Sequence, residues 1–258
     1  MIVRAAVVPT PPLLVPELVV GADADVTAVR AACLAVTTRL TSAARHWIAV
    51  GAGPAGVLGP DAAGTFAGFG VDNVVRLSDA ATGAPDPAMP LSALVTAWLR
   101  AQTAAEDVTV HLVPPELTPD ECFALGEHLA ATAEPVGLLV AADGSHRHGD
   151  RAPGRPDDRA GPFDDAVHDA LANADPKGLM ALDPALADEL GADGRAPWQV
   201  LAGVLAQGEW TSDARLMIPF GVAYHLAVLD SAHVSEPASE SSTLGDRERP
   251  GRACEARS

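Results

Sequence analysis

The chain has a single lysine, Lys177, and only three widely separated cysteines, Cys33, Cys122 and Cys254. Basic charge is scarce as a whole: Lys+Arg 17 against Asp+Glu 34 leaves a net charge of -17. Such a surface repels phosphate backbones and anionic lipid headgroups, so neither nucleic acid nor membrane is an expected partner. The cysteines are odd in number and lack any CxxC spacing, which excludes a disulfide framework and a zinc knuckle and suits a reducing compartment. The apolar opening carries Arg4 and is broken by Pro9, Pro11, Pro12 and Pro16, so it reads poorly as a signal peptide or a membrane helix. A cytoplasmic location is the default expectation. GxSxG is missing, and Ser145 beside His146 does not replace it, because sequence neighbours rarely present a hydroxyl and an imidazole to each other.

What is present is an alternation of short Val/Leu/Ile runs with Ala-rich amphipathic stretches, the pattern of a sheet covered by helices. Strands are expected over Ile2–Val8, Trp47–Val50, Asn73–Leu77, Val108–Val113, Val136–Ala141 and Gly221–Leu229, mostly as continuous apolar runs suited to a sheet buried on both faces. Helices are expected over Asp25–Ala43, Leu91–Gln102, Pro119–Ala131, Pro162–Leu171, Pro184–Leu190 and Pro197–Ala206. Thr118-Pro119-Asp120-Glu121 supplies an N-cap, a proline at the first helical position and an acid at the third; Asp183-Pro184 repeats the first two devices. One domain over 1–233 is expected. From Val234 onward apolar residues nearly vanish, so the segment 234–258 reads as a disordered polar tail.

Two stretches invite a functional reading. HWIAVGAGPAG spells GxGxxG with Gly51, Gly53 and Gly56 after a strand-like run, but a dinucleotide site needs a helix to start there, and Pro60 would break it within about two turns. AADGSHRHGDRAPG follows the strand Val136–Ala141 and gathers Asp143, Ser145, His146, His148 and Asp150 at the carboxyl end of a strand, where α/β sheets bind ligands. Two histidines spaced i, i+2 have the spacing to chelate a metal from an extended segment, with Asp150 assisting. The plain alternative is a solvated loop, with Arg147, Arg151, Arg155 and Arg159 pairing with Asp150, Asp157 and Asp158. Among the other histidines, His225 and His111 sit in strand-like runs and read as structural, while His168 reads as solvent-facing. Trp198 reads as packing.

VVPTPPLLVPEL, DGSHRHGDRAPGRPDDRAGPFDDAV and ALDPALADELGADGRAPWQVLAGVL, in that order, resemble the actinobacterial branch of the LigB-like proteins, the group of the class III extradiol ring-cleavage dioxygenases, akin to the Memo-like proteins. The resemblance spans residues 1 to about 230. It implies a three-layer α/β/α domain with a central mixed, largely parallel sheet and a pocket at strand ends. In active members, Fe(II) held by two histidines and a glutamate binds a catecholic substrate and dioxygen. The first ligand position matches Thr10, the second falls in Gly51-Ala52-Gly53, and the glutamate position falls in Gly194–Trp198, so the family's Fe(II) finds no matching ligands and no cofactor is expected. Gly144-Ser145-His146 resembles the segment carrying the family's acid/base histidine, which makes His146 the catalytic candidate. The resemblance thus implies either a non-canonical member that binds a small molecule or partner through Thr10, Asp143, Ser145 and Arg195, or an active oxidoreductase or hydrolase whose metal has moved toward His146 and His148. Family relatives also make a homo-oligomer an open expectation.

Overall fold

The computed structural model describes residues 1–21 and 23–232, and the expected polar tail lies outside them. Its centre is a seven-stranded mixed sheet in the order β3-β6-β2-β7-β1-β9-β8. The four middle strands, β6 (Asp107–Val113), β2 (His46–Ala52), β7 (Val136–Ala141) and β1 (Ile2–Val8), run parallel. β9 (Tyr224–Ser231) then pairs antiparallel with β1, and β8 (Trp210–Met217) antiparallel with β9; β3 (Gly56–Leu58) closes the other edge against β6. Every residue of β7 is buried, as its unbroken apolar run demands of a strand covered on both faces.

Side chains alternate across each strand, so Ala5 and Val7 of β1 enter one core and Ala6 and Val8 the other. On the Ala6/Val8 face lie α1 (Ala24–Ala43) and α2 (Leu91–Ala101), packed around Leu40, Trp47, Leu94 and Leu99. On the opposite face lie α3 (Pro119–Ala130), α4 (Ala160–Ala172), α5 (Pro176–Met180), α6 (Pro184–Leu190) and α7 (Arg195–Leu205), packed around Leu138, Phe163 and Leu201. The result is the three-layer α/β/α architecture expected from the sequence. Among the described residues no helix is long and apolar enough to cross a membrane.

Two helix starts carry the caps read from the sequence: Thr118 and Glu121 form a reciprocal capping box on α3, and Asp183 caps α6. At the head of α1 Asp23 accepts from the amides of Asp25 and Val26. Cys33 and Cys122 are buried free thiols, as the absence of any disulfide pattern implies.

Two expectations need correction. Asn73–Leu77 does not join the central sheet: β5 (Val74–Arg76) pairs with β4 (Ala63–Thr65) in a separate two-stranded ribbon, because only Val75 of its three residues is buried. In agreement with the reading of Pro60, no helix follows Gly51-Ala52-Gly53: the chain turns into β3, and the glycines serve a strand-to-strand connection. A side-chain carbon at Gly51 would collide with Ser92, whose hydroxyl donates to the Ala52 carbonyl at 2.7 Å. The last strand begins at Tyr224 rather than Gly221, which turns with φ of +71°.

The helices α3 and α7 approach most closely where Gly126 faces Gly203. A methyl group on Gly203 would collide with the Phe123 carbonyl oxygen, and one on Gly126 with that of Val200. Backbone cannot step aside as a flexible side chain can, so Gly203→Ala is expected to lower stability by about 1–3 kcal/mol, seen as an earlier urea midpoint with an unchanged slope.

Candidate functional site

The carboxyl ends of β1 and β7 lie side by side, and the chain leaves both through segments that hold fixed shapes. After β1, Pro12 and Pro16 each open a short 3-10 turn, and Arg30 of α1 donates to the carbonyls of Leu13 and Leu14 at 3.0 and 2.6 Å. After β7, the amide of Ala142 donates to the Val8 carbonyl at 2.9 Å, extending the parallel pairing by one residue. Thr10 and Asp143 meet at this junction.

Thr10 is buried, and both its donors are used by Asp143. Its amide donates to Oδ1 at 3.0 Å and its hydroxyl to Oδ2. Desolvation pushes the Asp143 carboxyl up to about 6; the two Thr10 hydrogen bonds oppose the shift and the charge of Asp193 adds to it. Behind the pair, on the α1 side, lie Cys33 and Tyr224. Burial raises both groups well above their usual ranges, and the Asp143 charge raises them further. A carboxyl that titrates near neutrality at a strand end is a group able to give or take a proton there.

Past Asp143 the segment is stitched to the hairpin between β8 and β9. Gly144 donates to the Ala223 carbonyl at 2.9 Å, Ala223 to that of Ser145 at 2.8 Å, and His148 to that of Gly221 at 3.0 Å. Beneath this ladder lies Asp164, in the second turn of α4 and fully buried. Its Oδ2 accepts from His148 Nε2 at 2.7 Å, while Oδ1 accepts from His225 Nε2 at 2.9 Å and from the Ser145 amide at 3.3 Å. A carboxylate oxygen accepts, so both imidazoles carry their hydrogen on Nε2. His225 is buried edge-on against Trp198, with centroids 5.2 Å apart, and desolvation lowers its affinity for a second proton against the pull of Asp164. Its Nδ1, the Trp198 Nε1 and the Nδ1 of His168 are buried without partners among the described residues. His168 is therefore half-buried rather than solvent-facing.

The sequence candidates separate accordingly. Thr10 and Asp143 touch. His146 is half-buried, its ring lying against Gly191 and Gly154, where a side-chain carbon on either glycine would strike it. It sits close enough to Asp193 to draw that carboxyl down against the desolvation that raises it. Ser145 faces no pocket: it is fully buried, donates to the Leu190 carbonyl at 3.2 Å and accepts from the Arg147 amide. Arg195 lines the cleft between Pro115 and Asp193, with its guanidinium bonded to the cleft's own wall rather than to Asp143. Although the Gly194 amide reaches the Asp143 carbonyl at 2.8 Å, the Arg195 guanidinium points to the β6–α3 loop, donating to the carbonyls of Pro115 and Leu117 and to Gln199. It is buried without a carboxylate partner among the described residues and acts as a structural clamp. Arg159 pairs with Asp157 and Glu189, the plain alternative for the arginine-rich loop.

A cleft of about 450 Å³ opens beside this cluster, between the β6–α3 loop at Pro115 and Thr118 and, opposite it, Asp188 of α6 and Asp193 of the α6–α7 turn. Asp193 belongs to both, lining the cleft while interacting with Asp143 and His146. Among the described residues no group of three or more His, Cys, Asp or Glu side chains is arranged to hold a metal ion.

No protein-family model matches the chain, and no curated protein matches it. Among solved structures it is similar to one described as the crystal structure of uncharacterized protein JW3007 from Escherichia coli K12. The two are 16% identical with a TM-score of 0.48, over 89% of this chain and 100% of that one.

Two measurements follow from these contacts. Removing the shared acceptor by Asp164→Ala leaves the buried His225 and the half-buried His148 imidazoles unpaired and is expected to cost about 3–5 kcal/mol in urea denaturation. For Asp143, the folded-state carboxyl holds its proton to higher pH than the unfolded one. Its contribution to stability is therefore full below about pH 4 and is lost as pH rises through about 6. Asp143→Asn removes this dependence, so between about pH 4 and 7 the thermal midpoint of the wild type should fall relative to the variant by roughly 5–10 °C.

Proposed function

We propose that this chain is a divergent member of the LigB-like group of class III extradiol dioxygenases, and that it binds a small molecule at the carboxyl ends of β1 and β7 without the group's iron chemistry. The observation that carries the proposal is the pairing of Thr10 with Asp143. At the place where the resemblance expects a ligand imidazole, the chain has a buried hydroxyl whose hydrogen is given to a neighbouring carboxyl. The order of the three motifs and the three-layer fold with a strand-end crevice support the same relationship.

The residues at the other two ligand positions do not fit ferrous iron. Gly51-Ala52-Gly53 has no side-chain donor, and Arg195, at the start of the late helix, is a cation held by backbone carbonyls. The chemistry left to the site belongs to Asp143, which changes charge near pH 6, and to His146 across Asp193. Those groups serve to recognise and orient a polar ligand, with the apolar walls of the neighbouring cleft excluding water from part of it. A metal relocated to His146 and His148 finds, among the described residues, no group of three or more His, Cys, Asp or Glu side chains that could hold it.

The test is to load the purified protein anaerobically with Fe(II), add protocatechuate, and admit air. Binding without oxygen uptake is expected, with saturation-transfer NMR signals from the aromatic acid that weaken about tenfold in Thr10→Val and in His146→Ala. Retention of one iron per chain together with oxygen consumption and ring opening would overturn the proposal.

A further inference from the structure

The two edges of the sheet are unlike. β3 is three residues long, too short to template another strand, whereas β8 runs for eight residues and pairs with β9 without a bulge from Trp210 opposite Ser231 to Met217 opposite Tyr224. β8 contains no proline, no glycine and no lysine, the usual means by which an edge is kept from pairing. Among the described residues its outer side has no strand neighbour. Thr211, Asp213 and Arg215 are exposed along one face, and Ile218 just beyond the strand is 41% exposed.

We propose that this edge pairs with the same edge of a second copy, antiparallel about a twofold axis through Ala214, joining two sheets into one. The outward amides and carbonyls of a strand recur at every second residue, so two identical antiparallel edges can bond only when each outward residue meets another outward residue. The axis must therefore pass through a residue and never between two. Centred on Asp213 or on Arg215, the pairing sets like charges directly opposite each other, which is destabilising. Centred on Ala214, it sets Asp213 opposite the second copy's Arg215, twice by symmetry. It also brings Ser212 opposite Leu216 and Trp210 opposite the exposed Ile218. The Asp213 carboxylate is free to accept this second cation: Oδ2 takes Arg39 at 2.6 Å, and Oδ1 has no partner among the described residues.

The experiment is sedimentation of the full chain at micromolar concentration, where a particle of twice the 26.3 kDa chain mass is expected. Arg215→Asp places two carboxylates opposite two others and should weaken the dimer roughly tenfold or more, as should Asp213→Arg by the opposite charge. Mixed together, these two variants carry complementary edges and should form a heterodimer that neither forms alone. Three results would each overturn the proposal: a monomeric wild type, an Arg215→Asp protein that dimerises as tightly as wild type, or variants that stay monomeric when mixed.

Discussion

A fully buried carboxylate has to be solvated by the protein itself, and in this chain that requirement falls on Asp164. Its two oxygens take an imidazole from the loop after β7, an imidazole from β9 and the Ser145 amide. Loop, strand and helix are thereby referred to one point, and the position of everything between Asp143 and His148 depends on it. A buried charge satisfied by three donors adds modest net stability while making alternative arrangements costly, since any shift of the loop leaves the carboxylate or an imidazole unpaired.

The strand-end cluster is built on that foundation. Parallel β1 and β7 must both end at the same side of the sheet, so the residues that follow them meet, and Thr10 finds Asp143 for that reason. Enclosure by the same segments then raises the Asp143 carboxyl toward neutrality. Arg195 contributes from behind: its guanidinium holds the loop before α3 by carbonyls, fixing one wall of the cleft whose other wall carries Asp193. The chemistry of this site thus rests on a carboxyl tuned by burial and on walls that are held rigid by backbone hydrogen bonds.

Much of the frame was legible in the sequence because its signals are local. β1 and β7 are bounded by prolines and by a polar cluster, and α3 and α6 begin at capping residues that act within one turn. β8 was not legible. Its sequence, WTSDARLM, alternates polar and apolar residues weakly because a half-covered edge strand needs only one good face, and three of its eight residues stay exposed. Asp164 carried a signal that went unread. It falls on the same helical stripe as Ala160, Phe163, Val167 and Leu171, all buried, so a carboxylate there had to be enclosed and partnered. The directions of Ser145 and Arg195 were not legible at all, because sequence places a side chain on an element but the packing of distant loops decides which way it turns.

The ladder between 144–148 and 221–223 has a consequence on the time axis. Hydrogen exchange at a loop amide is fast when the amide faces water, but the amides of Gly144, Ser145, His148 and Ala223 all point into protein acceptors. They open only when β9 or α4 lets go, which places this connection in the slow-exchanging class of the sheet. The small molecule proposed to bind at the strand ends would meet a rim already in place, and its arrival would incur little ordering entropy.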